Sequence, residues 1–323
     1  MARGARSDQA QSVSVPSVQA ASAGLQAAFI VPRRRRIDLM PYAFVAPIGL
    51  LLLSISFYPS LYALWFSMTD ASLLRLAQTS FTGLRNVLRL ANDTIFLWGL
   101  WRTLRWDLVV VFSQLAIAMP VALFLNQRFW GRGLTRVAVV VPYIVPPAVT
   151  ALLWLYMFDG SFGVVNELLT RMGMLGDYFA FLSDPVASFF VIAAAMIWSG
   201  MPLMAVVLLA VLQTIPTELY EAASVDGANA WQKYYRITLP HLVPTIAFLV
   251  LLRTIWMSNH IDMIFIMTRG GPGFANYTEA VYSFMLTQQM QVGYSSAVAV
   301  ALALLLIVAA AFYVRHLARE VLA

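Results

Sequence analysis

The sequence contains no cysteine, a single lysine and few charged residues of either sign. Without cysteine the chain forms no disulfide, thiolate metal site or cysteine nucleophile. Its three histidines are too scattered to indicate a metal cluster. The lone lysine, Lys233, follows Gln232, whereas a P-loop needs Gly-Lys-Ser/Thr to hold nucleotide phosphates. The chain therefore lacks a P-loop of its own.

Charged residues make up only 11% of the 323 residues, and hydrophobic residues make up 61%. A soluble domain usually carries about 25% charged residues, so this chain has too little polar surface and must be solvated largely by lipid. The net charge of +6 is not a nucleic-acid signature, because the basic residues lie in short stretches beside apolar runs, which is typical of membrane orientation. We expect an integral membrane protein with no nucleic-acid partner.

Residues 1–36 are rich in Ala, Ser, Gln and Val and end in four arginines, which indicates a disordered cytoplasmic tail before a membrane domain at 37–323. A membrane-spanning helix needs about 20 mainly apolar residues. Such segments should be helical because lipid offers no partner to unpaired backbone groups. Six stretches meet the requirement, at about 40–67, 103–125, 136–158, 187–213, 241–267 and 294–314.

The basic residues predict the orientation of these spans. With a cytoplasmic amino terminus, 13 of the 21 basic residues fall in cytoplasmic segments and five in external loops, so both termini are predicted to be cytoplasmic. Prolines interrupt several spans, and a break survives in a membrane where protein or a water-filled cavity satisfies the freed backbone groups. Of these, Pro146-Pro147 is the pair that best indicates a translocation path.

The loop at 214–240, between the fourth and fifth spans, predicts a helix, a turn and a second helix. Pro216 and Glu218 favour a helix start, and Gly227 supplies the permissive backbone that ends it sharply. Trp231 and Ile237 then give the next segment an apolar stripe at helical spacing. A compact helical knob of this kind would suit docking into a groove on another protein.

Glu221-Ala222-Ala223, followed by Asp226-Gly227-Ala228, resembles the EAA loop of ABC importer permeases. Two further stretches, at 81–86 and 268–272, resemble the F-x-G-L-x-N and T-x-G-G-P stretches of permeases that import carbohydrates. Together these resemblances extend from about residue 40 to the end. They imply an all-α membrane protein with the six-helix type I ABC importer permease fold and a cytoplasmic coupling loop.

The resemblance also implies partners and roles. Glu221 resembles the glutamate that pairs with an ATPase arginine, and Gly227 resembles the turn glycine of the coupling helix. The implied complex contains a second, similar permease, two ATPase subunits that bind ATP and Mg, and an external solute-binding protein. This chain would be a non-catalytic subunit without a cofactor, in the cytoplasmic (inner) membrane of a bacterium, importing a sugar or oligosaccharide by alternating access.

Polar residues within a span face protein or a cavity, and they are densest in the fifth span. The substrate-path candidates there are Arg253, Trp256, Asn259, His260 and Asp262. On one continuous helix, Ser258 and Asp262 would share a face, and Trp256 could stack on a sugar ring. A structural alternative for Asp262 is a buried pair with Arg253 or a cap for the following loop, and a structural hydrogen bond is the alternative for His260.

The identity of the solute stays open at this point. Arg253 and His260 favour an anionic substrate such as a uronate oligosaccharide or glycerol phosphate, whereas Asp262 could neutralise Arg253 and leave neutral oligosaccharides equally suitable. An ion-coupled secondary transporter would show internal repeats and ionisable residues through several spans, and a serine hydrolase would show a Gly-Xaa-Ser-Xaa-Gly elbow. Neither pattern is evident in the sequence.

Overall fold

The structure is a computed structural model that describes residues 40–321, so the predicted tail at 1–36 lies outside the described residues. Within 40–321 the chain is helical, and its β-type pairing is one isolated bridge between Thr69 and Phe81. The prediction of an all-α fold is confirmed.

Fourteen α-helices occur in the described range, linked by turns and short 3-10 or π-helical segments. They are α1 (Met40–Leu52), α2 (Tyr58–Ser67), α3 (Arg85–Ala91), α4 (Thr94–Asn126), α5 (Arg132–Ile144), α6 (Pro147–Met157), α7 (Val164–Arg171), α8 (Pro185–Leu212), α9 (Thr217–Val225), α10 (Ala230–Lys233), α11 (Leu239–Ser258), α12 (Asp262–Thr268), α13 (Glu279–Gln288) and α14 (Val292–Val321).

The chain divides into two compact units, one ending at Phe57 and one beginning at Tyr58. In the first, α1 leads into a π-helical turn at Leu53–Phe57. Its large apolar side chains, such as Phe44 and Ile48, are exposed, which suits contact with lipid. The second unit holds α2 to α14 and all of the sites described below.

Within residues 40–321, five helices are long and apolar enough to cross a membrane, and a sixth span results if one bent helix pair counts as a single span. The five are Phe44–Ser67, Thr94–Asn126, Pro185–Leu212, Ala230–Ser258 and Val292–Arg315. The second span begins at Thr94 rather than near 103, because Asp93 caps the helix by accepting hydrogen bonds from the backbone N–H groups of Ile95 and Phe96.

The third and fifth spans are not single straight helices. In the third, α5 and α6 meet at 92°, and Pro146-Pro147 lies at the break, where proline removes a backbone donor. In the fifth, α11 ends at Ser258 and α12 begins at Asp262. The prediction of one continuous fifth helix to residue 267 is therefore wrong.

The most extensive helix–helix contact in the second unit is between α4 and α8. Alanines on these two helices, Ala118, Ala122, Ala195 and Ala205, are all fully buried. Small residues let helix backbones approach closely, which matters in lipid because packing rather than exclusion from water drives helices together.

Two core clusters mark the two ends of this bundle. One contains Leu90, Phe96, Tyr277 and Tyr294, and we call its end the Asp93 end, after the residue that caps α4. The other contains Leu125, Leu212 and Leu242, with Tyr220 packed against it. We call this the Glu221 end, since Glu221 lies on the neighbouring helix α9.

Candidate functional site

The loop at 214–240 forms the helix, turn and helix that the sequence predicts. After Pro216, α9 runs from Thr217 to Val225, with Glu218 in its first turn. Gly227 has φ of +78°, a left-handed conformation that favours glycine. The turn closes when the backbone N–H of Ala228 donates to the carbonyl of Ala223 at 2.8 Å.

Hydrogen bonds hold the two arms of this loop together. Asn229 and Gln232 form a capping box that starts α10. Lys233 Nζ donates to Ser224 Oγ at 2.6 Å and so bridges α10 to α9. The sequence's one lysine thus helps to rigidify the loop.

The tip of the loop is exposed, and its exposed side chains include apolar ones, which are unfavourable on a surface that contacts only water. Val225 is 88% exposed and Trp231 70% exposed, and the Trp231 ring stacks on Tyr235 with centroids 6.0 Å apart. Glu221, Asp226 and Gly227 are also exposed, whereas Ala223 and Ala228 are half-buried. Exposed aromatic and apolar groups beside a carboxylate are typical of a protein-docking surface.

A second site lies where the breaks in the third and fifth spans meet the fourth span. It is a cavity of about 370 Å³, which we call the path cavity. Its lining comes from the third span (Tyr143, Val145, Pro147), the fourth span (Met196, Ser199, Gly200) and the fifth span with its break and α12 (Arg253, Ile255, Trp256, Met257, Asn259, His260, Met263). The structure therefore brings together four of the five predicted substrate-path residues, and Asp262 is not among the lining residues.

Arg253 is the charged group of the path cavity. It is only 5% exposed, and its Nε donates to Gln114 Oε1 at 2.9 Å. Gln114 Nε2 in turn donates to the carbonyl of Met196 at 2.8 Å. The network joins α11, α4 and α8 through a neutral amide. A Cβ on Gly200 would overlap Arg253 Nη2 and Gln114 Nε2, so any larger residue at this position would displace the two side chains of the network.

Two predicted relationships in the fifth span are wrong. Arg253 is bonded to Gln114 rather than paired with Asp262, and among the side chains that the structure describes the one ion pair joins Arg171 to Glu167. Ser258 and Asp262 do not share a helical face, because α11 ends between them. Ser258 Oγ instead donates to Asp107 Oδ2 at 2.5 Å, which ties the end of α11 to the second span.

The two polar side chains around the break differ in their bonding. Asn259 is exposed on the cavity wall, and its Nδ2 donates to the carbonyl of Ile255 at 2.8 Å. His260 Nε2 is buried without a hydrogen-bond partner within the described part of the chain. The cavity therefore offers one amide and one imidazole nitrogen to a ligand.

Sequence reasoning missed Gln114, Asp107 and Gly200. The first two are polar residues inside an apolar span, which by itself indicates an inward-facing position. That signal was present in the sequence, although it does not identify their partners. Gly200 carried no comparable signal, since glycine is frequent in transmembrane helices.

The stretches at 81–86 and 268–272 form structural turns at the Asp93 end. Asn86 Nδ2 donates to the carbonyls of Ser67 and Thr69 at 2.9 and 2.7 Å, which anchors the loop to the end of α2. Gly270 has φ of +84°, and a Cβ there would overlap the ring of Tyr277. Asn276, fully buried, donates to the carbonyl of Gly271 at 2.6 Å.

Residues 114–322 match the family described as binding-protein-dependent transport system inner membrane component. The trehalose/maltose transport system permease protein of Thermococcus litoralis is 32% identical over 80% of this chain and 87% of its own. The sulfoquinovosyl glycerol transport system permease protein of Agrobacterium fabrum is 34% identical over 86% of this chain and 90% of its own.

Among solved structures, this chain resembles a bacterial ABC transporter involved in the import of the acidic polysaccharide alginate. The two share 24% identity and a TM-score of 0.75, over 87% of this chain and 96% of the other. At that sequence identity the structural similarity shows that the two chains share a fold, which confirms the predicted type I permease architecture.

Proposed function

Because the chain belongs to the family of binding-protein-dependent transport system inner membrane components, we propose that its 214–240 loop docks on an ATPase subunit and that its path cavity forms half of a carbohydrate pathway. Family membership makes the chain a membrane-spanning, non-catalytic permease subunit of an ATP-driven importer, in which a separate subunit hydrolyses ATP. The docking and pathway roles of individual residues are the proposal.

One observation carries this proposal. A helical run from Ala230 to Ser258, which is α-helical apart from a π-helical segment at Tyr234–Thr238, starts in the exposed loop and ends at the break that lines the path cavity. At 1.5 Å per residue, a run of this length extends about 40 Å. Because a helix is stiff along its axis, a displacement of Trp231 at one end is transmitted to Arg253 and Trp256 near the other.

In the proposed cycle, two ATPase subunits bind ATP and Mg, close, and draw together the loops of this permease and of a second, similar one. The permeases then open outward, and an external solute-binding protein delivers the solute. Hydrolysis returns the pair to the inward-open state. Each step is a population shift, driven by a ligand that binds one state more tightly than the other. The Glu221 end and both termini would face the cytoplasm, and the Asp93 end would face outward.

We propose a carbohydrate with an anionic group as the solute. The relatives' names, trehalose/maltose and sulfoquinovosyl glycerol, cover a neutral and a sulfonated sugar. Arg253 is bonded to a neutral amide, and the described lining of the path cavity contains no Asp or Glu. A uronate carboxylate would supply the missing countercharge, and Trp256 offers a ring face to the sugar. Glycerol phosphate meets the same charge requirement and is the alternative.

The test is purification of the tagged chain from its native membrane in mild detergent, with mass spectrometry of the retained proteins. We expect an ATPase, a second permease and a solute-binding protein. The purified assembly, reconstituted in vesicles, should take up solute only with ATP and the binding protein. Recovery of this chain alone, together with uptake that survives ATP depletion, would overturn the proposal.

A further inference from the structure

A groove of about 670 Å³ opens at the Asp93 end, well away from the path cavity. Its walls come from the segment between α2 and α4 and from the start of α14. The residues that matter for its chemistry are Asp70, Arg85, Leu88, Arg89 and Tyr294. We call it the arginine groove.

The groove has a fixed shape because its two walls are bonded together. The backbone N–H of Gly293 donates to the carbonyl of Ala71 at 2.9 Å, and that of Leu73 donates to the carbonyl of Met290 at 3.1 Å. A Cβ on Gly293 would overlap the carbonyl of Thr69. A preorganised wall of this kind loses little entropy when a partner binds.

The charge of the groove is positive. Arg85 and Arg89 are exposed and lie one turn apart on α3. The acidic residue of the lining, Asp70, is already satisfied, because its two carboxylate oxygens accept from the backbone N–H and the hydroxyl of Ser80, each at 2.7 Å. These hydrogen bonds hold the pKa of Asp70 below its usual value, so Asp70 stays ionised, and the lining carries two positive charges, on Arg85 and Arg89, against one negative charge.

Residues at the base of the groove contact the start of the second span, at Asp93. The Arg89 guanidinium lies 3.9 Å from the centroid of the Tyr294 ring. The hydroxyls of Tyr294 and Tyr282 donate to Asp93 Oδ2 at 2.5 and 2.6 Å, and the other oxygen of Asp93 caps α4. Burial alone would raise the pKa of Asp93, but these hydrogen bonds outweigh it and lower the pKa. Arg89 therefore contacts Tyr294, one of the residues that hold α4, α13 and α14 together.

We propose that the arginine groove is the docking site for an acidic side chain on the solute-binding protein. This inference rests on the outward orientation of the Asp93 end given above. Two exposed guanidiniums offer paired hydrogen bonds to a carboxylate, and Leu88, 68% exposed, adds an apolar contact beside them. Complementary charge of this kind speeds association and selects the partner.

The test uses the assembled transporter in nanodiscs and the solute-binding protein that co-purifies with it. ATPase activity is measured while the binding protein is titrated at low and at physiological salt. The Arg85→Glu/Arg89→Glu variant should need about tenfold more binding protein for half-maximal stimulation, more so at low salt, since opposed charges now repel. Saturating binding protein should still reach the same maximum rate.

Arg75→Glu is the matched control, because Arg75 is an exposed arginine of the same segment that does not line the groove. It should shift the half-saturating concentration less than twofold. The milder Arg85→Gln/Arg89→Gln variant is a second control, because it removes the charges with less risk of misfolding. It should shift the half-saturating concentration of binding protein by an intermediate amount. A photo-crosslinking residue at Leu88 identifies the facing acidic position, and changing that residue to Arg should restore affinity for the double-Glu variant.

Stimulation that responds equally to the groove variants and the control would overturn the inference while leaving the permease function intact. A shift that occurs only in nanodiscs containing phosphatidylglycerol, and vanishes in phosphatidylcholine, would also overturn it, because the groove would then bind a lipid headgroup. Failure to recover any ATPase or binding protein refutes the proposed function instead.

Discussion

Arg253 Nε donates a hydrogen bond to Gln114 Oε1 at 2.9 Å, between the fifth and second spans. Both side chains are buried, Gln114 completely. An ionisable group inside a membrane protein is costly and usually marks a substrate or ion path. Here a neutral amide orients the cation and leaves its charge available to the path cavity.

Replacement of that cation should change substrate selection. In Arg253→Gln, uptake of a uronate oligosaccharide should fall by about 10- to 100-fold, since a hydrogen bond to a charged group contributes about 1.5–3 kcal/mol. Uptake of a neutral oligosaccharide of equal length, measured in the same vesicles, is the control. An equal fall for both sugars would mean that Arg253 supports the structure and not the selection of charge.

Gly200→Ala should disrupt the same network without removing any polar group. The added Cβ would overlap Arg253 Nη2 and Gln114 Nε2, and overpacking of this kind costs about 1–3 kcal/mol. We expect a lower thermal unfolding temperature of the detergent-purified complex, together with reduced uptake.

The control for this variant is Gly133→Ala in α5, where a Cβ meets nothing within 4 Å. It should unfold at the wild-type temperature or slightly above it, because alanine favours helix more than glycine does. Similar destabilisation by both variants would contradict close packing at Gly200.

Gly227→Ala should uncouple the loop. No atom lies within 4 Å of the new Cβ, so the added methyl group meets no steric obstruction, but φ is +78°, where an L-residue costs about 1–2 kcal/mol. Relief of that strain would reshape the turn after α9. The variant should insert normally, and its ATP-driven uptake should be lost.

Gly131→Ala provides a matched control, because Gly131 also has a positive φ, of +83°, and open space around it. It lies before α5, outside the docking loop, so the same backbone strain should leave uptake intact. Loss of uptake in both variants would indicate general destabilisation and not a specific role for the turn at Gly227.

The sequence predicted the architecture well and the detail of the cavity poorly. Apolar length identified the spans, Pro146-Pro147 identified the break in the third span, and local turn chemistry identified the 214–240 loop. The break after Ser258 carries no glycine or proline. It is held by tertiary contacts such as the bond from Ser258 to Asp107, which periodicity along one segment does not reveal.

The partner of Arg253 was missed for the same reason. Asp262 is near in sequence and opposite in charge, and these two properties alone suggested the pair. The break separates the two onto different helices, and Gln114, far away in the sequence, occupies the partner position. Pairings between spans depend on how helices pack, which a single sequence does not specify.

The most direct test of the account is a reversible crosslink at the docking loop. The chain has no cysteine, so Val225→Cys, at an 88% exposed position, introduces a single thiol. We predict that it forms a disulfide with a single cysteine placed in the ATPase cleft, that ATP-driven uptake then stops, and that a reducing agent restores it. Ser161→Cys, exposed near the Asp93 end, should form no such crosslink. Uptake that continues while Val225→Cys is fully crosslinked would contradict a coupling role for this loop.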